Sequence, residues 1–374
     1  MWLFISPFTS VPNHYERIED EEQRPSYLDS RHESPLPKTS RYCKITRKAV
    51  GLLIADLVLL GVILHILSPL ISLLQHNEEL FSARSKVTTG QARKSPTPLD
   101  HRIPRIFHQT TKNETIPTIW AKSQASCLDA YSDYEYMLWT DDKARAFLEA
   151  EYPWFLNVWD NYPFPIQRAD AIRYFVLYHY GGIYLDMDTI CHEAFPVEQI
   201  ELENVTDSCL FEGTLPTGIT NDIMISSAKH PAFERATKLL PVSYGLTWWW
   251  AKLQPYAAIM SSTGPLFISL AVADYLYDQP SLPSPTVQVI RPAGLKPYIS
   301  DLQTATWHGW DARLLKWLSD KPLIWFVLGT ISVVGGLYIV NKTFLFIFRL
   351  MVRLSHGLIR SLPRRTEKTA GWYE

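Results

Sequence analysis

The sequence is short of the features that mark nucleic-acid binders, disulfide scaffolds and phosphate-loop enzymes. Lys and Arg number 36 against 38 Asp and Glu, a net charge of −2, so no global positive field recruits nucleic acid. Four cysteines, Cys43, Cys127, Cys191 and Cys209, are too few and too scattered for a disulfide framework or a structural zinc site. No P-loop, GxGxxG, GxSxG elbow or HExxH occurs. Disorder is excluded for most of the chain, since 47% of residues are hydrophobic and 20% charged. What abounds is aromatic: 13 Trp, 19 Tyr and 16 Phe suit a membrane interface or a cleft that stacks flat rings and sugar faces.

Two apolar runs organise the 374 residues. Residues 50–74, VGLLIADLVLLGVILHILSPLISLL, carry Asp56, His65 and Pro69 as their non-ideal members and are long enough to cross a bilayer. A signal peptide does not fit, because the run is too long and follows a polar stretch. Arg41, Lys44, Arg47 and Lys48 precede it and Glu78 and Glu79 follow, which predicts a cytosolic N-terminus. The second run starts at Leu323 and predicts a span over 323–341, followed by Lys342, Arg349, Arg353, Arg360, Arg364, Arg365 and Lys368. That basic excess returns the C-terminus to the cytosol. Residues 343–360 read as a surface-lying amphipathic helix or as an extension of the span.

The predicted organisation is a disordered cytosolic tail (1–49), a span (50–74), a stem (75–100), one lumenal α/β domain (101–320), a span (323–341) and a basic cytosolic tail (342–374). Sequons at Asn113 and Asn204 agree with a lumenal placement.

The domain opens with IPRIFHQT (103–110), a predicted strand, and a second strand follows at 134–142. Strands separated by helical segments suggest a mainly parallel sheet covered by helices. In the window 167–195, Ala169, Ile172, Phe175, Val176 and Tyr180 recur at helical spacing and predict an amphipathic helix. Gly181 and Gly182 stop it, and Ile183, Tyr184 and Leu185 start a strand that ends at Asp186-Met187-Asp188. Alternation aims residues i and i+2 the same way, so both carboxylates converge and repel unless a cation sits between them. Hard divalent ions take such oxygens and complete their shell with substrate phosphates. Asp170 and Arg173 sit three apart on the helix, a pair suited to gripping sugar hydroxyls beside a phosphate. Cys191-His192 makes a poor zinc site, since strand neighbours face opposite ways. Cys127 and Cys209 are candidates for a disulfide, a pairing the sequence leaves open. Trp248-Trp249-Trp250 suits stacking on a sugar, dipping into headgroups or plain packing.

The run RADAIRYFVLYHYGGIYLDMD, with IPRIFHQT before it and NDIMISSAKHPAF (221–233), STGP (262–265) and TWHGWDA (306–312) after it, resembles the DXD-containing glycosyltransferases of family 32. The likeness covers about residues 101–312, and the two-span layout with TWHGWDA near the second span is most similar to fungal inositol phosphoceramide mannosyltransferases. The resemblance implies a GT-A-like nucleotide-sugar transferase domain between two transmembrane helices, acting with retention on GDP-mannose with Mn²⁺, or Mg²⁺ in its place. It implies a membrane sphingolipid acceptor, the Golgi membrane and, in some systems, a regulatory subunit. Carried onto this chain, it implies Asp186, Asp188 and His308 for the metal and diphosphate, and Asp170, Arg173 and Tyr184 for the donor hexose. It further implies Ile106, Phe107, His108 and Gln109 at the nucleotide base, Asn221 and Asp222 beside the sugar, and Trp307 and His308 closing over the phosphates. Two rival readings are a mannosyltransferase acting on N-glycan cores and a non-catalytic membrane subunit of a glycosyltransferase complex.

Overall fold

The computed structural model describes residues 47–82, 103–201, 205–214, 217–302, 304 and 309–361. The chain groups into two units, Met1–Gly51 and Leu52–Glu374; of the first, only the helical turn 47–51 is described. The fold is mixed α/β. Strands β1 (Ile106–Thr110), β2 (Glu135–Trp139), β3 (Gly182–Leu185), β5 (Cys209–Gly213), β6 (Ile219–Ser226) and β7 (Val287–Ile290) form one sheet in the order β2-β1-β3-β6-β5-β7. A small ribbon pairs β4 (Thr189–Cys191) with β8 (Ile299–Asp301). The sheet is mainly parallel, as expected, with one reversed strand. β1 runs parallel to β2 and β3, and β5 to β7, but β6 is antiparallel to both its neighbours. That reversal brings the start of β6 beside the end of β3.

Helices cover both faces. On one lie α3 (Asp141–Glu151), α4 (Leu156–Asp160), α5 (Pro165–Tyr180), α6 (Pro231–Thr247), α7 (Pro255–Ser262) and α8 (Pro265–Tyr277), around a core that includes Phe155, Phe175, Tyr184, Phe211 and Phe233. The other face holds α2 (Thr118–Ala130) and α9 (Pro292–Leu295) against Phe107, Ile183, Leu185 and Ile225. β3 shows the alternation directly, with Tyr184 in the first core and Ile183 and Leu185 in the second. α5 departs from the amphipathic reading. It packs against β1, β3, α3, α6 and α7, so Gln167, Asp170 and Arg173 are buried along with its apolar residues.

The two glycines after α5 have separate reasons. Gly181 ends the helix at φ 71° and donates its N–H to Leu177 O at 2.9 Å. Gly182, at φ 98°, lies so close to β1 that a Cβ would stand 2.4 Å from Ile106 O.

Among the described residues, three helical stretches are long and apolar enough to cross a membrane. Pro255–Tyr277 is mostly buried inside the domain, whereas Val50–Leu80 and Pro322–Met351 turn their apolar side chains outward. The first belongs to α1 (Arg47–Leu80), which runs past the predicted span. Leu73, Leu80 and Phe81 bury into the domain core and Asn77 Oδ1 accepts from Gly218 N at 2.8 Å, so residues 75–80 are a docked helix end and not the start of a loose stem. Beyond α10 (Trp310–Ser319), α11 (Pro322–Ser361) is one continuous helix, so 343–360 extend the second apolar run. Asn341 Nδ2 on α11 donates to Asp56 Oδ2 on α1 at 3.0 Å, which partners the one acidic residue of the first run.

The disulfide joins Cys127 on α2 to Cys191 on β4, and Cys209 is a free buried thiol. The candidate Cys127–Cys209 pairing is thereby corrected: Cys209 lies in the core on the opposite face of the sheet. The bridge closes 64 residues of chain, worth about 4 kcal/mol on the chain-entropy account. A Cys127→Ser/Cys191→Ser protein should therefore melt well below the wild type, and equal melting temperatures in detergent would refute that.

Candidate active site

The site forms where β3 ends, β6 begins and α5 crosses beneath them. Asp186 N donates to Asp222 O at 2.9 Å, so the first acidic residue of the triplet sits directly beside the Asn221-Asp222 pair. From below, Arg173 reaches up from α5. Its Nη2 lies 3.0 Å from Asp170 Oδ1, and its Nη1 lies 3.1 Å from Asp186 Oδ1 and 2.7 Å from Asn221 O. The guanidinium also rests over the Tyr184 ring, 4.6 Å from its centroid.

Asp170 lies deeper than a sugar-gripping surface residue would. Its Oδ1 accepts from Asn221 Nδ2 and its Oδ2 from Thr263 Oγ1, both at 3.1 Å. Burial raises its pKa, and Arg173 pulls it back. The pair thus forms the buried floor of the site, its influence reaching the surface through Asp186.

Tyr184 donates to Asp186 Oδ1 at 2.8 Å and accepts from Thr110 Oγ1 at 2.9 Å. Asp188 Oδ2 accepts from Thr304 Oγ1 at 2.8 Å. Asp186 Oδ2 and Asp188 Oδ1 have no hydrogen-bond partner among the described residues. Burial, then Asp222 and Asp188, push the Asp186 carboxyl up to about 7, against the opposing pull of Arg173 and Tyr184. Asp170 and Asp186 thus share the guanidinium of Arg173, while Asp188 and Asp222 make no ion pair with a Lys or Arg among the described residues.

These clustered carboxylates, with one oxygen on each of Asp186 and Asp188 unpartnered among the described residues, fit a hard divalent cation whose remaining ligands come from a substrate diphosphate. Among the described residues no three His, Cys, Asp or Glu side chains form a ready-made metal cage. Trp307 and His308 lie outside the described residues.

The expected base-binding strand is packed throughout. Ile106 is half-buried, and Phe107 stacks on Tyr131 with centroids 5.1 Å apart. Trp139 Nε1 donates to His108 Nδ1 at 3.1 Å, so the ring carries its proton on Nε2 and donates it to Gly181 O at 2.8 Å. Both nitrogens of His108 are therefore committed within the protein, and burial pushes its pKa down to about 4. Gln109 accepts from Tyr136 OH at 3.1 Å, while its buried Nε2 has no partner among the described residues. It is the polar atom of this strand that still wants an acceptor.

His230, N-cap of α6, is likewise pushed down to about 4 by burial. Between pH 6.5 and about 4 the unfolded chain protonates these two imidazoles and the fold does not. Stability should then fall by about 1.4 kcal/mol per pH unit for each ring as pH drops through that window. Thermal unfolding from about pH 7 to about pH 5 would check it, with a shallower slope expected for His230→Gln.

Several members of the site escaped the sequence reading. Tyr174 accepts from Asn221 Nδ2 at 3.0 Å and donates to Thr263 O at 2.5 Å. Its place four residues after Asp170 on a helix was the available signal. Glu212 on β5 is pushed up to about 8 by burial, then by Asp222 and Asp301. No local pattern marks it, because only the β5–β6 pairing brings it near the site.

Residues 117–207 match the family described as glycosyltransferase sugar-binding region containing DXD motif. The chain is 40% identical over 260 residues to the mannosyl phosphorylinositol ceramide synthase SUR1 of Saccharomyces cerevisiae, covering 67% of this chain and 62% of that one. It is 39% identical to inositol phosphoceramide mannosyltransferase 2 of Schizosaccharomyces pombe, over 58% of this chain and 61% of that one. With inositol phosphoceramide mannosyltransferase 1 of the same yeast it shares 34% over 235 residues, 60% of this chain and 69% of that one. The match thus spans about three-fifths of the length of the first two relatives.

Proposed function

Because the chain belongs to the DXD-containing glycosyltransferase family of the inositol phosphoceramide mannosyltransferases, we propose that it transfers mannose from GDP-mannose to inositol phosphoceramide. The observation that carries the reading is the Asp186–Asp188 pair at the end of β3, braced from below by Arg173. Arg173 and Tyr184 both hold Asp186 Oδ1, which restrains the carboxylate and leaves Oδ2 without a hydrogen-bond partner among the described residues. A divalent cation, Mn²⁺ or Mg²⁺, bound by Asp186 and Asp188 would neutralise the leaving diphosphate.

In the retaining reaction, the bond from the mannose anomeric carbon to the diphosphate oxygen breaks as the acceptor oxygen bonds to that carbon on the same face. The acceptor hydroxyl's proton passes to a donor phosphate oxygen. Asn221, locked by Asp170 and Tyr174, shapes the adjoining wall with Asp222. His308 and Trp307 would close over the phosphates.

The same proposal places the domain in a lumen, with α1 and α11 crossing the Golgi membrane and both chain ends cytosolic. The Cys127–Cys191 bridge supports an oxidising compartment. Two anchors hold the site near a lipid-borne hydroxyl, which raises its effective concentration.

The test is transfer of labelled mannose from GDP-mannose by membranes carrying the full chain. Label in inositol phosphoceramide that requires added Mn²⁺ is expected. Label on an N-glycan acceptor with none in lipid would move the protein to the glycan branch.

A further inference from the structure

One apolar surface takes no part in the sugar-transfer chemistry. α10 turns Trp310, Leu314 and Trp317 outward, 62%, 46% and 48% exposed, at the i, i+4, i+7 spacing of a single stripe. Its other side is fastened to the domain: Asp311 and Ala312 are buried, and Asp311 Oδ2 accepts from Tyr256 N at 2.6 Å. That bond sets the start of α10 beside the start of α7, next to the turn that leaves α6. The turn exposes Trp249 by 71% and Leu253 by 78%. Five large apolar side chains therefore lie on either side of one anchoring hydrogen bond, a concentration soluble monomers rarely leave to water.

Two observations say what covers it. α10 passes into α11 through only Asp320 and Lys321, and α11 begins with the outward Leu323, Trp325 and Phe326. The stripe is thus continuous in sequence with a helix whose exposed apolar length suits hydrocarbon. Its composition is also interfacial, with tryptophan and leucine bordered by Arg313, Lys316 and Lys321, the last with its ammonium 5.1 Å from the Trp317 centroid.

We propose that the α6–α7 turn and α10 together seat the catalytic domain in the headgroup layer of the membrane that α11 crosses. Trp249, Leu253, Trp310, Leu314 and Trp317 are the inserted residues. The domain then lies on the bilayer at a fixed height, and does not merely hang from its two helices. This rests on the membrane-spanning reading of α11 and is independent of which sugar or acceptor is used.

The experiment uses the full chain in phosphatidylcholine–phosphatidylinositol vesicles. A single environment-sensitive label is placed at Trp249→Cys or Trp317→Cys in a Cys43→Ser background, the other cysteines being paired or buried. Reference labels go at Val334→Cys in α11 and Glu149→Cys on the exposed side of α3. Lipids carrying a nitroxide just below the headgroup should quench labels at 249 and 317 to within about twofold of the label at 334, and leave 149 to aqueous iodide. Labels at 249 and 317 that behave like 149, with 334 quenched, would overturn the seating while leaving the span intact. A label at 334 that lipid nitroxides do not reach would overturn both.

Discussion

Asp188→Asn should lower mannose transfer by about a hundred- to a thousandfold while leaving the melting temperature near that of the wild type. The side chain is partly exposed, and its one hydrogen bond among the described residues comes from Thr304 Oγ1, which an amide oxygen accepts equally well. What the substitution removes is a negative charge aimed at the place where a cation and diphosphate would sit. Asp186→Asn should lose as much activity for a different mixture of reasons, because it also deprives Arg173 of a charged partner. The comparison is made with initial rates across a Mn²⁺ titration and a thermal melt of each full-length variant. Undiminished transfer by Asp188→Asn would sink the metal-site assignment, and it is also what a non-catalytic subunit predicts.

The parts of the site carried by short-range pattern were legible in the sequence. A helix stopped by Gly181-Gly182 and followed by a short strand into Asp186-Met187-Asp188 is readable because helix period, glycine φ and strand alternation all act within a few residues. Asp170 and Arg173 were legible as a pair, since three residues on a helix define a face. Their depth was not, because burial depends on α6 and α7 arriving from much later in the chain. The same limit explains His108. The resemblance implies a place for it at the nucleotide base, and Trp139 and Gly181, from two other elements, take both its nitrogens. Glu212 needed the antiparallel β5–β6 pairing, and Thr263 needed the α7–α8 corner to fold back over Asp170. The disulfide is illegible for a similar reason: nothing local marks Cys191 as the partner of Cys127, and only the packing of α2 on β4 brings the two together.

Arg173→Met should be the most destabilising single change in the site. The arginine side chain is 3% exposed and that of Asp170 7%, so methionine leaves a buried carboxylate without its counter-charge. Breaking a buried pair from one side costs about 3–5 kcal/mol, which for a domain of this size is a melting-point drop of about 10 °C. Arg173→Lys separates charge from geometry. Lysine restores one positive charge, but a single ammonium on a flexible stem cannot span Asp170 Oδ1, Asp186 Oδ1, Asn221 O and Ala169 O together. It should therefore recover most of the stability and little of the activity, since Asp186 would lose the restraint that the guanidinium places on Oδ1. Adding Asp170→Asn to Arg173→Met removes the stranded charge and should regain part of the lost melting temperature without regaining transfer. If Arg173→Met melts with the wild type, the guanidinium is not the support of the site. If Arg173→Lys transfers mannose at the wild-type rate, its charge matters and its fork does not.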